Sequence, residues 1–389
     1  MSRVNDSGVS EVLGFGNQIT SINMKTNILA IVFMIAAAGY LCAQQGWNYQ
    51  NPNLTVQNQH GAICPINKDT VCVIADNGKF LSTTDGGTTW LERNTGVQVL
   101  FFDISFIHYN LGYAAGQGGT ILKTGDWGTC WGTLNTCTQA DLFSVCIKAE
   151  NDIWAVGDSG VIIHSTDYGS TWVKLPAVTN LMLNSIAFRG DTGIIVGNHG
   201  TLLRSFDNGA TWIPGNPGTM ADISSLVMTP HYAYALAGVS YFYGFQGTEA
   251  LRSGDLNSWE SFSGPGQFGG LSKIDFAGDS TGFGITSGVI TDGYGFIYIN
   301  KTTDAGETWF DSFINYEAPY TVTWGDCDIK FVTDSIGYAL CGNNILKTID
   351  GGKLVGIKEI DPLHSFSIYP NPSASDAINI AFSNLTPEK

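Results

Sequence analysis

Short apolar stretches separated by glycine-rich turns recur along the chain between about residue 45 and residue 357. Apolar and polar residues alternate in stretches such as 103–107 and 144–147, as expected for strands with one buried face. Turns such as Gly116–Gly119 and Gly157–Gly160 are each followed by a second apolar stretch, which is a hairpin signal. The repeats contain no amphipathic stretch of helix length. The pattern therefore predicts an all-β domain of short antiparallel strands.

One polar phrase follows the third predicted strand of each repeat. It consists of a Ser or Thr, an Asp two residues later, a Gly two residues after the Asp, and a Trp. Four copies are complete: Thr83–Trp90, Ser165–Trp172, Ser205–Trp212 and Thr302–Trp309. The copy at Thr124–Trp131 has Cys130 in place of a Thr, the copy at Ser253–Trp259 is one residue short, and the copy at Thr348–Gly352 has no Trp.

The seven Asp residues of this phrase are 40 to 49 residues apart: Asp85, Asp126, Asp167, Asp207, Asp255, Asp304 and Asp350. A period of 40 to 50 residues built from short strands predicts a β-propeller. Each repeat then corresponds to one four-stranded antiparallel blade, and seven copies of the phrase predict seven blades.

The composition of the phrase is that of a tight turn. Asp accepts hydrogen bonds from backbone N–H groups, the Ser or Thr hydroxyl adds a second bond, and Gly takes a positive φ. The Trp begins the next strand and buries its ring against the neighbouring repeat. The phrase resembles the Asp-box, or BNR repeat, which lies between the third and fourth strands of a propeller blade. The resemblance implies that the seven Asp residues are structural and neither catalytic nor metal-binding.

The ends of the repeat array predict how the ring closes. The seventh box lacks the Trp strand, whereas Gly46–Pro52 resembles a post-box strand such as Trp212–Pro217. An N-terminal strand that completes the seventh blade removes the exposed edge of an open ring. We therefore predict a closed propeller over residues 44–357, with Trp47 in the outer strand of the blade that carries Asp350.

Residues 1–43 have the pattern of an upstream extension and a secretory signal peptide. After Met24 come Lys25, the apolar run Ile28–Leu41 and a small-residue zone that predicts cleavage near Ala43. Met24 is then the expected start of translation. An uncleaved membrane anchor is the alternative, although the run is short for a spanning helix.

Residues 358–389 form a linker followed by two short strand patterns, Phe366–Tyr369 and Ile378–Ile380, around a Pro-Asn-Pro turn. This segment resembles the opening of the C-terminal sorting domain of the type IX secretion system of Bacteroidetes, in truncated form. The resemblance implies contact with that secretion machinery and a secreted or outer-surface location reached through the periplasm. A plain short hairpin is the alternative.

The eight cysteines include Cys42 in the signal segment. An exported chain permits disulfides, and spacing allows Cys130 with Cys137, Cys64 with Cys72, or Cys327 with Cys341. No C-x-x-C motif occurs, so no zinc site is predicted, and no other metal or cofactor is expected. The net charge of −16, without a Lys/Arg cluster, disfavours nucleic-acid and anionic-lipid partners.

The complete pattern most resembles the photosystem II assembly factor-like repeat family, which implies a non-catalytic binding scaffold. Sialidases share the box but need three converging arginines. The chain after the signal segment has Arg93, Arg189, Arg204 and Arg252, and the last two directly precede box Ser residues. Box-bearing xyloglucan hydrolases place their carboxylate pair between two propellers, and a single propeller is predicted here. No enzyme is therefore expected, with a secreted sialidase-type or glucanase-type hydrolase as the alternative.

The fifth and sixth repeats are longer than the second to fourth, and the extra residues fall between their second and third strands. Five of the aromatic residues in these turns are the predicted contact residues: Tyr241, Tyr243, Phe245, Tyr294 and Phe296. Aromatic rings on glycine-rich loops stack on sugars or dock a protein. The sequence thus predicts a monomeric recognition module for an extracellular protein or polysaccharide, with contacts on the face opposite the boxes. The alternative is that these rings cover the outer ends of two wide blades.

Overall fold

The computed structural model describes residues 46–50, 61–238, 249–263, 271–289, 295–316, 327–342, 344–352, 366–369 and 379–382. The chain divides into two compact units, one of residues 42–358 and one that combines residues 1–41 with 359–389. The larger unit holds seven four-stranded antiparallel sheets, and the smaller unit holds one two-stranded sheet.

The strands follow one another around the ring in chain order, except for the first. Strand β1 (Asn48–Tyr49) belongs to the last blade. Blade 1 contains β2 (Gly61–Pro65), β3 (Val71–Ala75), β4 (Lys79–Thr83) and β5 (Leu91–Asn94). Blade 2 contains β6 (Phe101–Phe106), β7 (Gly112–Gly116), β8 (Ile121–Thr124) and β9 (Gly132–Leu134). Blade 3 contains β10 (Leu142–Ala149), β11 (Asp152–Gly157), β12 (Ile162–Ser165) and β13 (Val173–Lys174).

The remaining blades have the same order. Blade 4 contains β14 (Leu183–Arg189), β15 (Thr192–Gly197), β16 (Leu202–Ser205) and β17 (Ile213–Pro214). Blade 5 contains β18 (Asp222–Met228), β19 (Ala233–Gly238), β20 (Glu249–Ser253) and β21 (Glu260–Ser263). Blade 6 contains β22 (Leu271–Phe276), β23 (Gly282–Val289), β24 (Gly295–Thr302) and β25 (Phe310–Tyr316). Blade 7 contains β26 (Cys327–Phe331), β27 (Gly337–Cys341), β28 (Asn344–Thr348) and β1.

The predicted all-β propeller of seven blades is confirmed. The first strand of each blade contacts the first strand of the next, and β26 of blade 7 contacts β2 of blade 1, so the ring is closed. The second strands are buried along most of their length, as in the five residues of β3, because neighbouring blades cover both faces of each sheet. Each apolar cluster accordingly joins two adjacent blades, as Tyr113 of β7 and Ile163 of β12 do in one of them.

Ring closure takes place where the sequence predicts it. Asn48 and Tyr49 pair with Lys347 and Leu346 of β28, and the Gln50 N–H donates to the Ile345 carbonyl at 2.8 Å. Trp47, only 2% exposed, packs edge-on against Phe283 and Phe331. Its Nε1–H donates to Ser312 Oγ at 3.1 Å, which joins the N-terminal strand to blade 6 as well as blade 7.

The G-x-x-G turns between second and third strands have a backbone reason for their glycines. In the turn at Asp158–Gly160, Ser159 and Gly160 both have positive φ, 54° and 70°. A Cβ on Gly160 would lie 1.9 Å from the Thr179 carbonyl oxygen, so only glycine fits there. The motif is thus explained by the turn itself and the close approach of the chain that enters the next blade.

The cysteines follow only part of the prediction. Cys327 and Cys341 form a disulfide between β26 and β27. Cys64 and Cys72 face each other across β2 and β3 but remain thiols. Cys130 and Cys137 are exposed thiols at opposite ends of β9, so a local bridge between them does not form.

In the smaller unit, β29 (Phe366–Tyr369) and β30 (Asn379–Phe382) form an antiparallel hairpin in which Phe366 pairs with Phe382. The hairpin matches the two predicted strand patterns and does not test the sorting role. Across the described residues, no helix has the length and apolar character needed to span a membrane.

Candidate functional site

The box turn is best seen in blade 3. Ser165, 2% exposed, donates from its hydroxyl to Asp167 Oδ1 at 2.8 Å and accepts the Gly169 N–H at 2.9 Å. The two carboxylate oxygens of Asp167 accept the Thr171 N–H at 2.8 Å and the Thr171 hydroxyl at 2.7 Å. The Thr171 hydroxyl, its N–H and the Ser165 hydroxyl together lower the pKa of Asp167 to about 2. The carboxylate is therefore ionised and fully engaged in its own turn.

The same bonds form in the boxes of blades 1, 4 and 6 around Asp85, Asp207 and Asp304. The degraded boxes keep part of the set. Cys130 gives Asp126 only its N–H, and Asp255 accepts the N–H groups of Asn257 and Ser258. In blade 7, Thr348 donates to Asp350 at 3.0 Å. These contacts are those expected of structural Asp residues, a role that stays a prediction until variants are measured.

The buried atom in each box is the hydroxyl and not the carboxylate. Thr83, Ser205 and Thr302 are buried like Ser165, whereas Asp85, Asp207 and Asp304 are exposed. The sequence predicts a buried turn around the Asp, and the structure instead places the carboxylate at the surface. The turn lies at the end of a hairpin and packs against the preceding blade on one side only, as Gly169 of the blade 3 box does against Leu134 and Tyr113 of blade 2.

Five of the seven boxes also receive a backbone-carbonyl bond from the preceding blade. The residue after the Asp has a positive φ in all seven boxes, including the non-glycine residues Trp127, Tyr168, Asn208, Leu256 and Ala305. In five boxes its carbonyl accepts a bond from the Lys or Arg that precedes the box of the previous blade. The pairs are Lys123 with Tyr168, Arg204 with Leu256, Arg252 with Ala305, Lys301 with Gly351 and Lys347 with Gly86.

This arrangement bears on the sialidase alternative. Arg204 and Arg252 bind the box turns of blades 5 and 6, Arg93 donates to Ser82 in blade 1, and Arg189 donates to the Thr229 carbonyl of blade 5. Each of the four arginines thus has its own partner in a different part of the ring. The four arginines do not converge on one point. This agrees with the sequence analysis, which predicts no arginine triad of the sialidase type.

A central channel of about 390 Å³ is lined by the first strands of all seven blades. In the first strands of blades 2 to 7 a buried aliphatic residue, such as Ile104 or Ile329, is flanked by two residues that line the channel. Blades 3 to 5 supply mainly Ser and small apolar side chains at these positions. The charged side chains belong to blades 2, 6 and 7: Asp103, Lys273, Asp275, Asp328 and Lys330.

The three carboxylates of the channel connect neighbouring blades. Asp103 Oδ2 accepts the Val145 N–H at 2.9 Å, and Asp328 Oδ2 accepts the Ile63 N–H at 3.0 Å. Asp275 Oδ2 accepts the Phe331 N–H at 2.6 Å. Burial raises the pKa of Asp103, and it raises the pKa of Asp275 to about 6. The inner strands of different blades do not pair with each other, so these side chains satisfy N–H groups that a sheet partner would otherwise take.

Lys330 balances this charge. Burial lowers the pKa of its ammonium group, but Asp328, Asp275 and Asp103 outweigh burial and raise the pKa above its usual range. Among the described residues, no group of three His, Cys, Asp or Glu side chains is arranged to hold a metal ion. The channel is therefore a polar, partly charged lumen whose carboxylates serve the ring itself. The sequence does contain a signal for these channel carboxylates, because each acidic residue stands next to the central aliphatic residue of a first strand. The sequence does not show which backbone N–H group each carboxylate binds.

Four of the five predicted recognition residues, Tyr241, Tyr243, Phe245 and Tyr294, lie outside the described residues. Phe296 was predicted in a turn and lies in β24 instead, where it pairs with Gly288 and Tyr316. The correction has a simple reason, because the hairpin of blade 6 continues its strand pairing as far as Val289 and Gly295.

The ends of the connected strands are described even where the connections are not. Strand β19 ends at Gly238 and β20 begins at Glu249, and β23 ends at Val289 while β24 begins at Gly295. In an antiparallel blade, the connection between the second and third strands leaves from the end opposite the connection between the third and fourth. The described strand ends at Gly238, Glu249, Val289 and Gly295 therefore lie on the face opposite the box turns, in two neighbouring blades.

The family model for photosynthesis system II assembly factor YCF48 matches residues 94–182, which include all the strands of blades 2 and 3. The solved structure of YCF48 bound to D1 peptide is similar, with 17% identity and a TM-score of 0.57 over 78% of this chain and 97% of that one. YCF48 from Cyanidioschyzon merolae is similar at 18% identity and a TM-score of 0.59, over 78% and 98% of the two chains. At these identities the likeness shows the fold alone.

The GH74 enzyme of Niastella koreensis is also similar, with 14% identity and a TM-score of 0.60. The match covers 77% of this chain and 53% of that enzyme, so this chain spans about half of its length. A search of curated proteins finds no significant match. Both a family of assembly factors and a family of hydrolases thus share the fold.

Proposed function

We propose that this chain is an exported, non-catalytic recognition module. Its ligand contacts lie on the face opposite the box turns, at the long connections of blades 5 and 6. The observation that supports the proposal is the placement of the strand ends that these connections join: Gly238 with Glu249 and Val289 with Gly295 lie on the same face of the ring in neighbouring blades. Their sequences contain Tyr241, Tyr243, Phe245 and Tyr294, and Phe296 directly follows in β24.

The corresponding connections of blades 2 to 4 support this interpretation by contrast. In blade 2 the Gly118 N–H donates to Asp141 at 2.8 Å, and in blade 4 the His199 N–H donates to Asp222 at 2.8 Å. Asp141 and Asp222 both lie just before or at the start of the next blade, so the short turns are bound into the ring. The short turns are therefore sufficient to connect the strands within the ring. The additional aromatic residues in the connections of blades 5 and 6 are available for recognition of a ligand.

A protein is the partner we favour, with a polysaccharide as the second possibility. A protein with a similar fold has been solved as YCF48 bound to D1 peptide, which supports peptide binding as a use of this fold. The net charge of −16 favours a neutral or basic segment over an acidic one. Tyr and Phe are among the residue types that are enriched in protein interfaces.

Glycoside hydrolysis is the second candidate function, and the similarity to a GH74 enzyme is what favours it. Two observations weigh against it. The box carboxylates have pKa values held low by their own turns, as with about 2 for Asp85 and Asp304, so they are poor general acids. Asp275 has a pKa near that of a glycosidase acid, but its Oδ2 already accepts the Phe331 N–H inside the channel.

Export is part of the proposal and rests on the two ends of the sequence. The signal pattern at residues 24–43 supports entry into the periplasm, and the hairpin β29–β30 supports a folded tail of the type IX kind. Fractionation of cells that make the full chain tests this point. Surface or culture-medium protein is expected, and a loss of that fraction after deletion of residues 366–389 would link the tail to export. Full retention in the cytoplasm would contradict it.

Binding is tested with the purified chain from residue 44 onward. Capture from an outer-surface protein extract, followed by mass spectrometry, is compared with a polysaccharide array. Tyr241→Ala with Tyr243→Ala, and separately Tyr294→Ala, are each expected to weaken binding by about fivefold per ring, which corresponds to about 1 kcal/mol. Tyr109→Ala is the matched control, because Tyr109 is 62% exposed but lies on the face that carries the boxes.

Two results would contradict the proposal. Unchanged affinity in all three Tyr substitutions would remove the long connections from the binding site. Release of sugar from a sialoside or β-glucan by the wild-type chain would favour the hydrolase. Ligand affinity and sugar release are both measured on the same preparation. The hydrolase alternative is therefore tested even when no binding is found.

A further inference from the structure

Two cysteines face each other across the first hairpin of blade 1 at the wall of the channel. Cys64 of β2 and Cys72 of β3 are register partners in the antiparallel pair. Cys72 is fully buried, and its thiol donates to the Cys64 carbonyl oxygen at 3.5 Å. Cys64 is half-buried and lines the channel. One thiol of the pair therefore faces the lumen, and the other lies behind it.

Blade 7, the neighbour of blade 1 in the ring, shows that such a pair is compatible with a disulfide. Cys327 and Cys341 lie across its first hairpin as register partners and are bonded. Residues directly opposite each other in an antiparallel pair are about 4.5 to 5.5 Å apart between Cα atoms, within the span of a disulfide. Register partners project from the same side of the sheet, as the two cysteines of a cross-strand disulfide must.

We propose that Cys64 and Cys72 form a redox-active thiol pair that exchanges with small disulfides entering the channel. In the first step, the Cys64 thiolate attacks one sulfur of the disulfide. A mixed disulfide forms, and one thiolate leaves. In the second step, the Cys72 thiolate attacks the Cys64 sulfur, the Cys64–Cys72 bond forms and the second thiolate leaves. The protein loses two electrons and two protons, and the small disulfide is reduced to two thiols.

The surroundings of the two sulfurs assign these roles. The adjacent Cys72 side chain is the largest cause that lowers the pKa of Cys64, and the nearby Lys330 ammonium lowers it further, although burial opposes both. Burial raises the pKa of Cys72 well above its usual value. The thiolate is the nucleophile in disulfide exchange, so the first proton is lost from the sulfur that the channel reaches. Cys72 then acts as the resolving thiol.

The chain contains its own control. Cys146 of β10 also lines the channel and, like Cys64, follows the buried aliphatic residue of a first strand. Its register partner is Trp154, so no second thiol lies opposite. Burial raises the pKa of Cys146 to about 12. Two thiols of the same lumen are therefore expected to differ in reactivity because only one has a cysteine partner.

The experiment uses the purified chain, reduced and desalted, and then exposed to oxidised glutathione at about pH 8, near the ordinary pKa of a thiol. Free thiols are alkylated at intervals, and each cysteine is followed by peptide mass spectrometry. A Cys64–Cys72 linked peptide is expected to appear at least about tenfold faster than any modification of Cys146. Cys72→Ala is expected to trap glutathione on Cys64, and Cys64→Ala to leave Cys72 reduced.

The exposed thiols Cys130 and Cys137 report whether the reagent is active, because they need no channel. If they react while Cys64 and Cys72 stay reduced, the proposal is wrong. Modification of Cys146 at the same rate as Cys64 would also overturn it, because the pair would then give no advantage. Both outcomes are measured on the wild-type chain, so the proposal remains falsifiable even if a substituted chain fails to fold.

Discussion

Blades 2 to 4 and blades 5 and 6 have the same four strands but differ in what joins the second strand to the third. In blade 4 residues 198–201 make this connection, whereas in blade 5 residues 239–248 do. The contacts between blades do not follow that difference. Lys123 joins blade 2 to blade 3 through a box carbonyl, and Arg252 joins blade 5 to blade 6 in the same way. The Lys and Arg bonds to the box carbonyls and the connections that vary in length are thus at opposite ends of each blade.

The box of blade 5 shows how little of the repeat the ring requires. It is one residue short, but the buried Ser253 hydroxyl still accepts a backbone N–H, here that of Leu256, at 2.9 Å. Its carboxylate keeps two N–H bonds and has a longer hydroxyl contact, 3.3 Å from Ser258 against 2.7 Å from Thr171 in blade 3. Within this chain, the bond from a backbone N–H to the strand-terminal hydroxyl is therefore the constant contact of the turn, whereas the contacts of the carboxylate vary.

The largest effect is expected at the seam of the ring. Trp47→Ala removes a fully covered ring that contacts blades 6 and 7 at once, so it should lower the free energy of unfolding by about 3–5 kcal/mol. Urea unfolding followed by intrinsic fluorescence or circular dichroism measures the change. Trp47→Phe keeps an aromatic ring and loses the bond to Ser312, and we expect a smaller loss. A stability within experimental error of the wild type for Trp47→Ala would show that β1 does not close the ring.

The box hydroxyls come next. Ser165→Ala leaves the buried Gly169 N–H without its acceptor and should cost about 1–3 kcal/mol in the free energy of unfolding. Ser253→Ala in the shorter box of blade 5 should cost a similar amount, because the Leu256 N–H loses its acceptor in the same way. Asp167→Ala should cost less than Ser165→Ala, since its carboxylate is at the surface. A larger loss for Asp167→Ala would reverse the order that the burial of the two groups predicts.

The same boxes predict an acid limit to stability. Asp85, Asp167 and Asp304 have folded-state pKa values of about 2, below the ordinary value, so their contribution is present above the ordinary value and is lost as the pH falls through about 2. Thr171→Val removes the largest cause of the shift at Asp167 and should flatten the decline between about pH 4 and pH 2. Urea midpoints measured across that range test this. An unchanged pH profile in Thr171→Val would contradict the assignment.

Much of the fold is predictable from the chain because it depends on local patterns. The spacing of Asp85 to Asp350 gives the number of blades, and the missing Trp of the last box indicates that Trp47 supplies the closing strand. What the sequence does not reveal is which group of one blade meets which group of the next. Asp103 is an isolated acid in the sequence, and only the ring shows that it accepts the Val145 N–H of the neighbouring strand.

The candidate site divides in the same manner. The five aromatic residues of blades 5 and 6 are recognisable as departures from the repeat, although Phe296 belongs to a strand and not to a turn. The different environments of Cys64 and Cys146 are not visible in the sequence, because both stand at the same position of a first strand. Their difference arises from the residue across the hairpin, Cys72 in one blade and Trp154 in the other.

A moderate effect is expected from the bonds between blades. Lys123→Met keeps the length of the side chain and removes the bond to the Tyr168 carbonyl, which should cost about 0.5–1.5 kcal/mol in the free energy of unfolding. Lys174→Met is the control, because Lys174 is exposed on the outer strand β13. Equal stability of the two variants would mean that these bonds follow the packing of the blades and add nothing to it.

The smallest effect on stability, and the largest on binding, is expected from exchanging the connections themselves. Residues 239–248 of blade 5 are replaced by the four residues that make the same connection in blade 4, Asn198-His199-Gly200-Thr201. The contacts of Arg252 and the Ser253 box lie at the other end of the blade, so the free energy of unfolding should change by less than about 0.5 kcal/mol, as for surface changes away from the core. Capture of the partner should be lost. If the exchanged chain unfolds cooperatively at the wild-type urea concentration and still binds, recognition does not depend on the blade 5 connection. If the exchanged chain fails to fold, residues 239–248 are required for the stability of the ring, and the proposed separation of stability and recognition between the two ends of the blade is wrong.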